Sequence, residues 1–215
     1  MRQLLNNVTS ALMVTCAVIV TVVVVRREML AGTQGRFERV ENWQRFMRTE
    51  DRANARQGDV VVVTFADYQC PGCRLFDEQL RRVNADFRGR LKRVYRHLPL
   101  PMHAHAWDAA RAGECSRDQG RFEVMDSVLF ANQSRIGTLS WQQLAHQAGV
   151  PDTAVLRKCM EGRFTDARIA EDTLLASREG IRGTPTVLLN GIRFAGVPPE
   201  AELRRLIAAA RDGGT

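Results

Sequence analysis

An α/β domain interrupted by a long helical insertion, and preceded by an N-terminal transmembrane helix, is the fold class that this 215-residue sequence predicts. Three observations carry that expectation. The apolar run Val60-Val61-Val62-Val63-Thr64-Phe65-Ala66 enters a Cys-x-x-Cys at Cys70-Pro71-Gly72-Cys73, which opens an amphipathic stretch from Arg74 to Phe87. Residues 103–180 show helical periodicity without a convincing strand. Strand character then returns on either side of Asn190-Gly191. The order is a β-α-β half, an insertion and a β-β-α half.

From the N-terminus, residues 1–7 read as a short tail and residues 8–25 as an apolar anchor. Val8 to Val25 carries no charge. As a helix it is about 27 Å long, near the hydrocarbon thickness of a bilayer once Leu4 and Leu5 are added. A cleaved signal peptide has a shorter apolar core and small residues at its cleavage site. Here Val22 to Val25 runs straight into Arg26-Arg27 with no Ala-x-Ala, so an uncleaved single-pass anchor is expected, with Cys16 inside it as a small apolar residue. Residues 26–57 connect anchor and domain. Between Arg36 and Ala55, Phe37, Val40, Trp43, Phe46 and Met47 recur at helical spacing, which predicts an amphipathic helix packing its aromatic stripe on the domain.

Residues 58–102 and 181–213 make the α/β domain. Gln57-Gly58-Asp59 turns into the first core strand, and a second strand follows at Leu91–Leu98 after Gly89. Strand, helix and strand within about forty residues imply a parallel pair with a right-handed crossover. Leu98-Pro99-Leu100-Pro101 breaks the pattern. The insertion, 103–180, divides into helical segments at about 103–118, 120–132, 140–148, 152–161 and 164–179, punctuated by Gly120, Ser140, Gly149, Pro151-Asp152, Gly162 and Gly180. Asn-Gly between Thr184–Leu189 and Ile192–Ala195 is a strong hairpin signal. Leu203, Leu206 and Ile207 give the last helix, Pro199 to Arg211, its apolar face.

Charge excludes one broad class of partner. The net charge is +7, but it is almost wholly arginine, Lys92 and Lys158 being the lysines, and the arginines are spread among Asp and Glu. No aromatic-interleaved basic stripe or nucleic-acid motif is present, so nucleic acid is not expected as a partner. A zinc site is the bland reading of Cys-x-x-Cys, and structural zinc wants four ligands. Cys115 and Cys159 lie far apart, and His103 and His105 follow a Pro-rich turn, so no metal site is expected.

Dithiol chemistry remains. A cysteine at a helix N-terminus faces free backbone N–H groups and the positive end of the helix dipole, and both favour thiolate over thiol. With Cys70 as N-cap, Pro71 falls at the first helical position, and the amides of Gly72 and Cys73 are free to donate toward the Cys70 sulfur. Cys73, one turn in, is placed to attack a mixed disulfide on Cys70. Asp67 is either a buried proton acceptor for Cys73 or a strand-end acid capping the turn. In Gly183-Thr184-Pro185-Thr186 the proline opens a strand, where it is often cis; an ordinary trans edge proline is the alternative.

With these residues in place, the chain resembles the thioredoxin-fold thiol–disulfide oxidoreductases, specifically the DsbA-like branch, over roughly residues 38–210. The resemblance rests on Phe65-Ala66-Asp67-Tyr68-Gln69-Cys70-Pro71-Gly72-Cys73, on Arg96-His97-Leu98-Pro99-Leu100, on Ala109-Ala110-Arg111-Ala112-Gly113-Glu114-Cys115 with Gln119-Gly120-Arg121-Phe122, and on Gly183-Thr184-Pro185-Thr186 with Asn190-Gly191. It implies a thioredoxin-like fold, an exposed attacking thiol at Cys70, a resolving thiol at Cys73, a cis-proline at Pro185, and a Thr184 backbone that helps hold an extended substrate peptide. The dipeptide Pro71-Gly72 departs from the Pro-His of strongly oxidising members, so Cys70 is expected to be less acidic than theirs. If function takes Cys70 with Cys73, Cys115 and Cys159 are left as a structural disulfide, worth roughly 3–4 kcal/mol in the chain-entropy picture; two buried free cysteines are the alternative.

The resulting expectation is a membrane-anchored thiol–disulfide oxidoreductase with no cofactor beyond its redox-active disulfide. Its partners are cysteine-containing protein clients and a membrane thiol oxidase or a reductant. Arg2 and the N-terminus balance Arg26-Arg27 across the apolar segment, so orientation follows instead from redox chemistry: a dithiol enzyme with a second disulfide belongs outside the cytoplasm, on the periplasmic side of the inner membrane. A disulfide donor is the first reading. A reductase or isomerase, and a non-catalytic chaperone or binding module, are the alternatives.

Overall fold

The computed structural model describes residues 37–55, 59–87 and 91–211, so the expected span at 8–25 lies outside the described residues. Among the described residues no helix is long and apolar enough to cross a membrane. The chain divides into the units Met1–Glu38 and Arg39–Thr215. A three-residue strand, β1 (Phe37–Arg39), lies at that division, and the other elements among the described residues belong to the larger unit.

At its centre is β2 (Val60–Ala66), buried along its whole length. The all-apolar run is explained by burial on both faces. Val60 and Val62 meet one core with Phe76, Leu80 and Leu203, while Val61, Val63 and Phe65 meet another with Phe46, Ala176 and Ile181. On one side β2 pairs in parallel with β3 (Leu91–His97), in register from Val60–Leu91 to Ala66–His97. On the other it pairs antiparallel with β4 (Thr186–Leu189), which pairs antiparallel with β5 (Ile192–Ala195). Asn190 and Gly191 both take positive φ, 43° and 87°, as a tight two-residue hairpin loop requires. The Asn190 side chain also caps the sheet, its Oδ1 accepting from Val61 N at 2.9 Å.

The single amphipathic helix expected over 36–55 does not form. Its residues are divided between β1, a 3-10 turn at Trp43–Phe46 and a short helix, α1 (Thr49–Ala53). Asn42 takes a left-handed φ of 51°, and Val40 N donates to Gly191 O at 2.7 Å. Pairing with the hairpin tip thus competes with helix propagation. Phe46 still reaches the core, but from a turn, because aromatic spacing alone does not distinguish a helix from a turn whose side chains converge.

Helix α2 (Pro71–Asp86) packs through Phe76, Leu80 and Val83. Between β3 and β4 come α3 (Ala106–Arg117), α4 (Phe122–Ala131), α5 (Trp141–Gln147), α6 (Thr153–Glu161) and α7 (Asp166–Arg178). A capping box starts α5, where Ser140 Oγ accepts from Gln143 N and Gln143 Oε1 accepts from Ser140 N. Asp152 caps α6 through the amides of Ala154 and Val155. These helices enclose a core of their own, with Met125, Leu129, Leu144 and Leu156, which also takes in Tyr68, Cys70 and Cys73. Helix α8 (Glu200–Arg211) closes the chain over β2 through Leu203 and Ile207. The fold is α/β and thioredoxin-like, with a helical insertion.

Candidate active site

The turn from β2 into α2 sets both sulfurs. Cys70 is the N-cap in extended conformation and Pro71 occupies the first helical turn, where its missing N–H costs nothing. The Cys70 carbonyl accepts from Cys73 N at 3.1 Å and Arg74 N at 3.3 Å, which fixes the two cysteines one turn apart. Both are free thiols. Cys70 retains 8 % of its surface and Cys73 1 %. The exposed thiol implied by the resemblance is therefore reduced to a small opening, because Thr184, Pro185 and the insertion core close over it; Cys70 is still the more accessible of the two.

The sulfur environments push the two thiols apart. Cys70 is lowered to about 5, chiefly by a hydrogen bond from the Cys73 thiol, which outweighs burial. The amides of Cys73 and Gly72 and the Thr184 hydroxyl add to the effect. The geometry is looser than expected from sequence: no cap hydrogen bond of normal geometry reaches the Cys70 sulfur, and the Thr184 hydroxyl is buried with no such partner. In the dithiol, the Cys70 thiol instead donates to Thr184 O at 3.3 Å. Cys73 moves the other way, raised by burial and by its hydrogen bond with Cys70, although Asp67 N donates to its sulfur at 3.5 Å. An accessible, acidic thiol beside a buried, protonated one is the division of labour that thiol–disulfide exchange uses.

The Thr184-Pro185 peptide bond is cis. A Cβ on Gly72 would lie 3.1 Å from Pro185 Cδ, so the absence of a side chain there lets α2 approach the proline loop. Asp67 is wholly buried, and its oxygens are taken. Oδ1 accepts from Gln69 N at 2.7 Å; Oδ2 accepts from Leu100 N at 2.8 Å and lies 2.7 Å from His103 Nδ1. These contacts tie the turn before Cys70 to Leu100 and His103.

Gln133 is a site residue that sequence reading misses. Its Nε2 donates to Tyr68 O at 2.7 Å and to Cys70 O at 2.9 Å, tying the insertion to the cysteine turn. A neutral amide in the polar run Asn132-Gln133-Ser134-Arg135 carries no pattern that marks it. Cys115 of α3 and Cys159 of α6 form a disulfide with Cα atoms 5.9 Å apart. The motif residue His97 is buried, with Nε2 2.8 Å from Glu114 Oε1, and Arg96 reaches Asp172 and Phe46 O. Among the described residues no group of three or more His, Cys, Asp or Glu is placed to hold a metal.

The family model described as thioredoxin matches residues 55–209. The chain belongs to the thioredoxin family. Among solved structures, a thioredoxin-like oxidoreductase from Silicibacter pomeroyi DSS-3 is 29% identical with a TM-score of 0.59, covering 72% of this chain and 88% of that one. DsbA2 from Pseudomonas aeruginosa is 28% identical with a TM-score of 0.51, over 69% of this chain and 86% of its own. With these neighbours, the chain has a thioredoxin fold similar to that of DsbA-like proteins. A Na(+)/H(+) antiporter, NhaA 3, from Salinispora tropica is 33% identical over 142 residues, which are 66% of this chain and 22% of the antiporter. The chain thus spans about a fifth of the length of the curated relatives it matches first.

Proposed function

We propose that this DsbA-like protein is a thiol–disulfide oxidoreductase, a disulfide donor for cysteine-containing protein clients, working outside the cytoplasm. The observation that carries the reading is the acidity of Cys70, lowered to about 5 while Cys73 is raised. A stabilised thiolate favours the reduced enzyme, and a reduced enzyme that is favoured makes the Cys70–Cys73 disulfide the oxidant. A client thiolate attacks Cys70 Sγ of that disulfide, and Cys73 leaves as a thiolate that takes up a proton. A second client thiolate attacks the client sulfur of the mixed disulfide and releases Cys70 as thiolate. Two electrons have passed from client to enzyme, and a membrane thiol oxidase takes them on. Pro71 and Gly72 set the turn, Asp67 caps it, and Thr184 and Pro185 border the sulfur where an extended client segment docks.

Residues 8–25 anchor the chain in the inner membrane as a single pass, with the catalytic domain on the periplasmic side. The Cys115–Cys159 disulfide supports an oxidising compartment, and the uncharged run Val8 to Val25 supports the anchor. Retention of the chain in alkali-washed membranes, and its release when residues 8–25 are deleted, is the expected fractionation result; an unanchored chain appears in the soluble fraction in both cases.

The deciding experiment is the reduction potential of Cys70–Cys73 in graded glutathione buffers. A value toward about −120 mV identifies a donor, and one near about −270 mV a reductase. A pair with no reversible redox step leaves a binding module as the surviving reading.

A further inference from the structure

A cavity of about 510 Å³, lined by none of the dithiol residues, lies on the face where α1 and α7 pack. Its volume is within the range of small-molecule sites. Six arginines line it: Arg45, Arg48, Arg52, Arg96, Arg168 and Arg178. The lining acids are Glu50 and Glu171. Arginine in this density is not balanced by the surrounding ion pairs. Asp172 serves both Arg48 and Arg96, at 2.7 and 2.6 Å. Glu179 takes Arg45 at 2.8 Å, and Arg168 has Glu50 at 3.7 Å and Glu114 at 3.4 Å. Among the described residues no ion pair is formed by Arg52 or Arg178. Against the single unpaired lining acid, Glu171, the cavity retains an excess of two positive charges.

The lining residue Arg48 supplies an independent observation. The Arg48 side chain is 92 % buried, 8 % of it remaining exposed, and its Nε is buried with no hydrogen-bond partner. A buried guanidinium N–H left unpaired costs free energy, and Arg48 shares its carboxylate partner Asp172 with Arg96. Met47 is buried beside it, and Leu174 and Leu175 form an apolar side. A convergent set of guanidinium forks with a small apolar wall and two surplus positive charges matches a doubly charged oxyanion on a compact organic group.

We propose that this cavity is a binding site for a phosphate ester or pyrophosphate group, separate from the dithiol. Arg48, Arg52 and Arg178 are its principal contacts. Phosphate is favoured over a single carboxylate because it offers three acceptor oxygens and close to two charges to several forks at once. The phosphate has two possible sources, a soluble phosphate ester or an anionic lipid headgroup, and the chemistry of recognition is the same for both.

The test is calorimetric titration of the full chain in detergent with inorganic pyrophosphate, at fixed ionic strength. Saturable one-site binding is expected. The double variant Arg52→Gln/Arg178→Gln, which breaks no ion pair among the described residues, should weaken it at least tenfold with an unchanged melting temperature. Arg48→Lys, which keeps the charge and loses Nε, should weaken it several-fold. Absence of saturable binding, or binding equal in wild type and double variant, overturns the site. So does equal competition by chloride or sulfate. Vesicles containing phosphatidylglycerol, compared with phosphatidylcholine alone, separate the sources: displacement of pyrophosphate by the anionic vesicles assigns the lipid headgroup, and no displacement assigns a soluble ester. Because the readout is binding, failure here leaves the redox reading of Cys70–Cys73 untouched.

Discussion

At Cys70 a single sulfur is flanked by the Cys73 thiol, two helix-start amides and a carbonyl, and the sum favours charge. The Cys70 thiol is lowered to about 5, between the values of about 7 in thioredoxin and 3.5 in DsbA. This fits Pro71-Gly72, which supplies amides without the cationic side chain of Pro-His. Thiolate absorbance at 240 nm, taken as the difference between the reduced chain and Cys70→Ser, should titrate with a midpoint near pH 5. A midpoint near 8–9 would remove the acidity on which the donor reading rests. Cys73→Ser should accumulate a mixed disulfide with an oxidised, disulfide-containing client peptide, as the Cys70 thiolate attacks and expels one client thiolate; it is visible on a non-reducing gel because the resolving thiol is gone. Asp67→Asn removes a charged acceptor from three hydrogen-bonding partners and should cost about 1–3 kcal/mol in denaturant unfolding, with the Cys70 titration in place. A Cys73 reactivity that collapses in this variant would instead make Asp67 a proton acceptor.

At the scale of elements, the insertion is held by covalent and packing links that differ in how visible they are in sequence. The Cys115–Cys159 bridge closes a separation of 44 residues between α3 and α6, and Cys115→Ser/Cys159→Ser should lower stability by roughly 3–4 kcal/mol in the chain-entropy picture. The hairpin makes a different link, to the segment that precedes β2. At Gly191, φ is 87° and an added Cβ would lie 2.5 Å from Trp43 Cδ1 and 2.9 Å from Val40 O. Gly191→Ala should therefore destabilise by about 1–3 kcal/mol, measured by thermal melting. An unchanged melting temperature would mean that the 3-10 turn at Trp43–Phe46 moves aside at no cost. The helices of the insertion were legible because their boundaries are local: the N-caps Ser140 and Asp152 and the positive-φ glycines Gly120, Gly149 and Gly180. The 36–55 segment was not, because its conformation is decided by a hydrogen bond from Val40 to Gly191, about 150 residues away in sequence.

For the whole molecule, redox state and stability are linked through the same sulfurs. Between the ordinary thiol value near 9 and the folded value near 5, the unfolded reduced chain binds more protons at Cys70 than the folded one. The stability of the dithiol form should therefore rise with pH from about 5 to 9 and be lost as pH falls through 5. Above 9 the raised Cys73 acts in the opposite direction. The disulfide form has neither group to titrate. Denaturant unfolding of both forms at pH 5 and pH 8 should show the reduced form gaining relative to the oxidised one at the higher pH; equal changes in both would mean the sulfurs do not control the difference. In the dithiol form the buried Arg96–Asp172–Arg48 cluster fixes α7 against the end of β3.

By itself the sequence determined the local chemistry: a buried strand, a dithiol at a helix start, a hairpin at Asn190-Gly191 and helices with their own caps. Each of these depends on neighbours within a few residues, so the period of apolar positions and the identity of capping residues suffice to read them. Tertiary structure alone decided the surroundings of the sulfurs. Gln133 reaches the Cys70 carbonyl from 63 positions away, Thr184 O lies 114 positions from the Cys70 sulfur, and Asp67 is occupied by Leu100 and His103. The acidity of Cys70 and the arginine-lined cavity arise from groups brought together only when the sheet and insertion close, because a sulfur's charge depends on distances that no linear pattern encodes.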